Sequence, residues 1–183
     1  DAVLKCEQAI SVSCATESSS DSAIYSEDAS PVLDAQPVTP WGSHTGLILS
    51  AAVCDAQGVQ KDVFEWGEVL KILIKVHIPK DISREHLSIA FSIKDLKGTD
   101  LIVSTTHDFE CRRLPDKDRF SASFLFANPL VTGKYLLVAA VENRQYRDIH
   151  YYEYVEGSHY FAVLANERLF GIFQPPIVQQ ILV

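Results

Sequence analysis

The sequence predicts an all-β fold, an antiparallel β-sandwich behind a mostly irregular N-terminal leader. Three observations carry this expectation. From Gly46 onward apolar residues recur at every second position, the period of a strand with one buried face. Turn-forming residues return about every ten positions. No long amphipathic helix stands between the strand candidates, as a parallel sheet with crossover helices would require.

Residues 1–43 form the expected leader. The stretch ATESSSDSAIYSEDASPVLDAQPVTP is rich in Ser, Ala, Asp and Pro, and has little apolar surface to offset the entropy lost on ordering. It reads as a linker from a preceding domain. Residues 2–10 are compatible with a short helix, although a helix that brief is marginal alone.

The sandwich is expected over residues 44–183, starting with a strand at 47–53. In VLKILIKVHI, Leu70, Ile72, Ile74, Val76 and Ile78 share one face while Lys71, Lys75 and His77 take the other, up to Pro79. Leu87, Ile89, Phe91 and Ile93 repeat the pattern opposite His86, Ser88, Ser92 and Lys94. The turn DLKGTD follows, with Gly98 tolerating positive φ, and LIVSTT is its hairpin partner. Phe120, Ala122, Phe124 and Phe126 then alternate with Arg119, Ser121 and Ser123 until Asn128-Pro129. GKYLLVAAV is apolar on both faces, which suits a central strand covered on both sides. Two further strands, at 146–155 and 159–164, are divided by Glu156-Gly157, giving about eight in all.

The C-terminal end differs, because ERLFGIF is apolar, Pro175-Pro176 breaks it, and IVQQILV follows as a hydrophobic tail. Residues 167–183 either pair within their own sheet or are exchanged onto a second protomer with the prolines as hinge.

With 183 residues, 47% of them hydrophobic, the chain supports one sizeable core but not two. A start at Asp1 and the absence of Met lead to the expectation of a piece of a longer protein. No apolar run approaches the roughly 20 residues that span a bilayer, and no secretory signal opens the chain, so it reads as soluble. The formal charge of −8 is concentrated in residues 1–43, which hold seven acids against Lys5 alone. The remainder carries 17 acids and 15 bases, so it lacks the basic surface that nucleic acid needs yet does not exclude an acidic glycan. Cys6, Cys14, Cys54 and Cys111 show neither CxxC nor zinc spacing, and free thiols in a reducing compartment are expected.

Motifs for chemistry are absent. There is no GxSxG, HExxH or phosphate-binding Gly-rich loop, the six histidines form no pair at ligand spacing, and acids such as Asp95, Asp100, Asp116 and Asp118 read as solvated. No catalytic residue, metal ligand or cofactor is assigned. Two stretches suit binding instead. HDFECRRLPDKDR gathers Arg112, Arg113, Lys117 and Arg119 behind His107, and guanidinium groups grip carboxylate or phosphate through paired hydrogen bonds. NRQYRDIHYYEY interleaves Tyr146, Tyr151, Tyr152 and Tyr154 with Arg144, Arg147 and His150, and a Tyr ring with its polar tip matches the C–H faces and hydroxyls of a sugar. Alternation places half of these rings in the core, and parity does not say which half. The ligand-binding candidates are His107, Arg112, Arg113, Tyr146, Arg147, His150 and Tyr152.

Taken in order, FEWGEVLKILIKVHI, LSIAFSIKDLKGTDLIVSTT, NPLVTGKYLLVAAV and YFAVLANERLFGIFQPP resemble the carbohydrate-binding C-terminal domain of the ATPase subunit in O-antigen ABC exporters, the Wzt type. The resemblance spans roughly residues 46–176. It implies an immunoglobulin-like, jelly-roll-like sandwich on a cytoplasmic ATPase subunit at the inner-membrane face, often dimeric through exchange of the C-terminal strand. Such a domain recognises the modified non-reducing end of a lipid-linked polysaccharide and couples chain completion to export. Its implied partners are the O-antigen terminus, a second copy of the chain and the exporter's transmembrane subunit. ATP hydrolysis would belong to a missing N-terminal domain, so this stretch is not itself an enzyme. Pocket residues in this family vary with the glycan, and the site residues above rest on local chemistry alone.

Two other classes compete. An immunoglobulin-like protein-interaction or adhesion domain would use the apolar tail and open strand edges, and a jelly-roll glycan-modifying enzyme would use unpaired Asp and Glu.

Overall fold

The computed structural model describes residues 37–107, 114–175, 177 and 179–180. The expected helix at 2–10, most of the leader, Cys6, Cys14, Cys111, Arg112 and Arg113 lie outside the described residues. Nine strands are present: β1 (Thr39–Trp41), β2 (Ile48–Cys54), β3 (Val63–Glu65), β4 (Val69–His77), β5 (Leu87–Asp95), β6 (Asp100–Thr105), β7 (Arg119–Ala127), β8 (Gly133–Asn143) and β9 (His150–Leu164). They form an antiparallel sandwich, and no helix occurs among the described residues. The larger sheet runs β1-β9-β8-β5-β6, and the smaller runs β2-β4-β7. The one parallel pairing joins β3 to the C-terminal half of β9, beyond the reach of β1 on the same edge.

Alternation builds the core. On β4, Leu70, Ile72, Ile74 and Val76 are fully buried and meet Phe126, Phe124, Ala122 and Phe120 of β7 across the ladder. Ile89, Phe91 and Ile93 of β5 face them from the other sheet, and Phe91 packs against Phe124 and Phe126 at ring distances of 4.8 and 5.9 Å. Burial on this scale supplies the dominant favourable term in folding. As expected, β8 lies centrally between β9 and β5 and is buried on both faces.

Buried polar side chains stitch the two sheets together where β2 runs beside β9. Glu153, 3% exposed, accepts the Gly46 and Ile48 N–H groups, each at 2.6 Å. His159 accepts the Val53 N–H on Nδ1 at 2.9 Å, which places its ring proton on Nε2, directed at Asp62 Oδ1 3.0 Å away. Amides of β2 that would otherwise form an open edge are thereby satisfied.

Two features depart from the periodicity reading. The stretches read as separate strands at 146–155 and 159–164 are one strand, β9, because Gly157, at φ 74°, absorbs the irregularity as a bulge instead of ending the pairing. Residues 165–175 form no strand but are tied to their own domain. Phe173 bridges Leu130, the Gln174 N–H donates to Pro129 O at 2.6 Å, and Trp66 Nε1 donates to Gln174 O at 2.7 Å. Among the described residues no helix is long and apolar enough to cross a membrane.

Candidate functional site

The site lies on the outer face of the larger sheet and arises from side-chain size. Ala90 and Ser92 of β5 and Val138 and Ala140 of β8 are short, so they leave a trough where longer chains would stand. Tyr151 and Tyr154 of β9 wall one side, Val103 and Asp100 of β6 the other, and Glu142 sits at one end. The enclosed volume is about 100 Å³, open to solvent.

A bulge explains how two tyrosines three positions apart line the same wall. In regular strand, 151 and 154 point to opposite faces. The β8–β9 register slips between Val141 and Glu142: Glu153 pairs with Val141, Tyr151 pairs with Glu142, and Tyr152 is the extra residue. Tyr151 and Tyr154 consequently share the outer face, with ring centroids 5.3 Å apart and planes nearly perpendicular. Trp41 of β1 packs behind both, 5.3 Å from Tyr151 and 4.8 Å from Tyr154, and is itself 47% exposed.

The polar groups are held in place. Arg144 Nε donates to Glu142 Oε2 at 2.7 Å, and Glu142 is 4% exposed. The Ser92 hydroxyl donates to Asp100, and the Ser88 and Thr105 hydroxyls bond to each other further along the face. Lys94 Nζ lies 3.4 Å from Glu156 and 5.5 Å from the Tyr154 ring centroid. Burial opposes the Lys94 charge, but Tyr154, Asp100 and Glu156 outweigh it and hold its pKa above the usual lysine value. Burial, reinforced by the Glu142 carboxylate, pushes the Tyr151 phenol up, so it stays a neutral donor. Aromatic faces beside fixed hydrogen-bonding groups suit a ligand that is apolar on one side and hydroxylated on the other.

The residues singled out from sequence are distributed differently. His150 and Tyr152 come together, their rings 5.4 Å apart, but Tyr152 turns toward the core. Ser43 Oγ bridges His150 Nε2 at 3.0 Å and His44 Nδ1 at 2.9 Å. Tyr146, 73% exposed, and Arg147 project from the β8–β9 connection. His107 follows β6 and donates its N–H to Thr105 Oγ1 at 3.3 Å. Trp41, Ser92, Asp100, Glu142, Tyr151 and Tyr154 are not among the candidates. Trp41 lay in the presumed leader, and Asp100 read as a turn acid. Tyr151 and Tyr154 stood in the tyrosine strip, but their common face depends on a bulge.

A second concavity of about 380 Å³ lies at the β3 edge, lined by Lys61, Phe64, Glu65, Glu68 and neighbours, with Lys61 and Glu68 paired at 2.7 Å. Among the described residues no group of three His, Cys, Asp or Glu side chains is placed to hold a metal ion.

Comparison with known proteins agrees with this architecture. Residues 38–175 match the family described as the Wzt C-terminal domain. Among solved structures, the fold matches one described as the crystal structure of the C-terminal domain of Wzt, with a TM-score of 0.67 and 18% identity. That match covers 79% of this chain and 89% of the other. No curated protein matches in sequence.

Proposed function

Because this chain belongs to the Wzt C-terminal domain family, we propose that it is a carbohydrate-recognition module that binds the modified non-reducing terminus of an O-antigen polysaccharide and performs no chemistry of its own. The observation that carries the reading is the aromatic-walled trough. Its floor of Ala90, Val138 and Ala140 accepts apolar C–H groups, and Ser92, Asp100 and Glu142 offer partners for hydroxyls. A trough of about 100 Å³ is smaller than a polysaccharide segment, which favours engagement of one terminal residue over wrapping of a chain.

In this reading the residues before β1 link the sandwich, which begins at Thr39 and not at residue 44 because β1 pairs with the edge of β9, to an ATPase domain. Binding then couples chain completion to export through a transmembrane partner, at the cytoplasmic side of the inner membrane. A homodimer formed through residues 167–183 is part of the proposal. Phe170, Ile172, Phe173 and Ile177 are all exposed, which supports an apolar partner for this segment. His107, Arg112, Arg113, Tyr146, Arg147 and His150 remain proposed contacts around the terminus, Tyr152 drops out because it packs against the core, and Tyr151 and Tyr154 are added as the wall.

The test is an array of bacterial O-polysaccharides freed of lipid A, each printed with and without its terminal residue. Binding that depends on the terminal residue is the expected result. Equal binding to both forms, or to none, would overturn the reading.

A further inference from the structure

We propose that Trp41 is a positioning residue for the trough, and that through it the strap formed by residues 37–44 is coupled to occupancy of the site. This inference rests on the saccharide-recognition reading above.

The strap lies along the outer edge of β9 and is pinned at several points. Thr39, Pro40 and Trp41 pair with Glu156, Val155 and Tyr154. The His44 N–H donates to Tyr152 O at 2.8 Å, and Tyr160 OH donates to Pro37 O at 2.9 Å. Gly42, at φ 139°, presses so close to the Tyr152 carbonyl that any Cβ would overlap it. The chain is therefore laid down with its single large side chain, Trp41, against the two wall tyrosines.

Strand order decides what Trp41 does there. β1 is outside β9, whereas the trough floor is β8 and β5. Trp41 stands on the far side of the wall and is not among the residues that line the trough. A wall ring open to the trough on one side and to water on the other has freedom to turn. Trp41 occupies the water side and fixes both rings in the orientation that closes the trough. A sugar seated against Tyr151 and Tyr154 needs that orientation. By reciprocity, a sugar that holds the rings there strengthens their contact with Trp41 and so the hold of the strap on β9.

The experiment follows two sets of backbone amides in the full chain by NMR. Shifts at Ala90 and Ala140 report trough occupancy, and hydrogen exchange at His44 reports strap opening. The probe is a lipid-free O-polysaccharide that binds in the array. We expect it to slow His44 exchange by roughly 2- to 10-fold, the range set by one aromatic pair, in wild type but not in Trp41→Ala. Trp41→Ala should weaken binding by a similar factor and broaden the Tyr151 and Tyr154 ring signals, with Trp41→Phe restoring most of both. Because Trp41 is half exposed and outside the core, the variant folds. Trough shifts without any change at His44 would overturn the coupling while leaving saccharide recognition standing. Should no polysaccharide shift Ala90 or Ala140, recognition fails. Tyr154→Ala alone then decides the coupling: faster His44 exchange supports it and unchanged exchange ends it.

Discussion

Replacing Glu153 by Gln tests whether side chains of β9 hold β2 in place. Both carboxylate oxygens accept a backbone N–H at 2.6 Å in a site with 3% exposure. The amide keeps one acceptor and turns its NH₂ toward the other N–H, so one charge-assisted bond is lost and one buried donor is left facing another donor. Bonds to charged groups contribute about 1.5–3 kcal/mol, and the orphaned donor makes the upper half of that range appropriate, about 2–3 kcal/mol. For a domain of this size that corresponds to a drop in Tm of roughly 4–12 °C. Urea unfolding followed by tryptophan fluorescence should show a lower midpoint at unchanged slope, and the Gly46 and Ile48 amides should exchange faster. A loss below about 0.5 kcal/mol, in the range of a neutral surface change, would show that water satisfies these amides and that the stitching is not what closes the sandwich.

Further outcomes follow from the same structure. Tyr154→Ala should lower saccharide affinity by about 10-fold, and by more than Tyr146→Ala, because Tyr154 lines the trough and Tyr146 does not; titration calorimetry on the two variants checks this. Glu68 has a pKa below the usual carboxylate value: burial raises it, but the Lys61 hydrogen bond and the Glu65 N–H outweigh burial. A depressed folded pKa means that its stabilisation is present above the unfolded value and lost as pH falls through the folded one. Glu68→Gln should therefore flatten the acid limb of a stability-against-pH curve. Burial and the neighbouring Asp55 push the Cys54 thiol up, against a smaller pull from Lys71 and Lys75, so a thiol reagent at neutral pH should reach Cys54 only after denaturant is added.

Fold class was legible because its signal is local. Alternation on 70–78 and 120–126 marked one buried face each, and the doubly apolar 133–141 marked the centre of the larger sheet. On 87–93, by contrast, the face read as outward, with Ser88 and Ser92, is buried as well because β5 lies between β8 and β6. The site was less legible, for a physical reason. A trough is made by what is missing, and Ala90, Val138 and Ala140 read in sequence as ordinary strand residues. The tyrosine strip pointed to the right strand, but a bulge at Tyr152 changes which rings share a face, and register slips leave no mark in a period-two pattern. Trp41 was hidden for a third reason. A three-residue strand in a Ser- and Pro-rich context has no periodicity to detect, and it exists because β9 offers an edge. The polar stitches from Glu153 and His159 link positions more than a hundred residues apart, beyond what local pattern conveys.

The outer face of the larger sheet is the surface proposed to receive the saccharide. Methyl-resolved NMR of the chain with a binding O-polysaccharide addresses it most directly. Ala90, Val138 and Ala140 signals should move on addition and return when the terminal residue is trimmed away, while Leu73 and Leu125 on the smaller sheet stay still. Movement confined to the smaller sheet would contradict it.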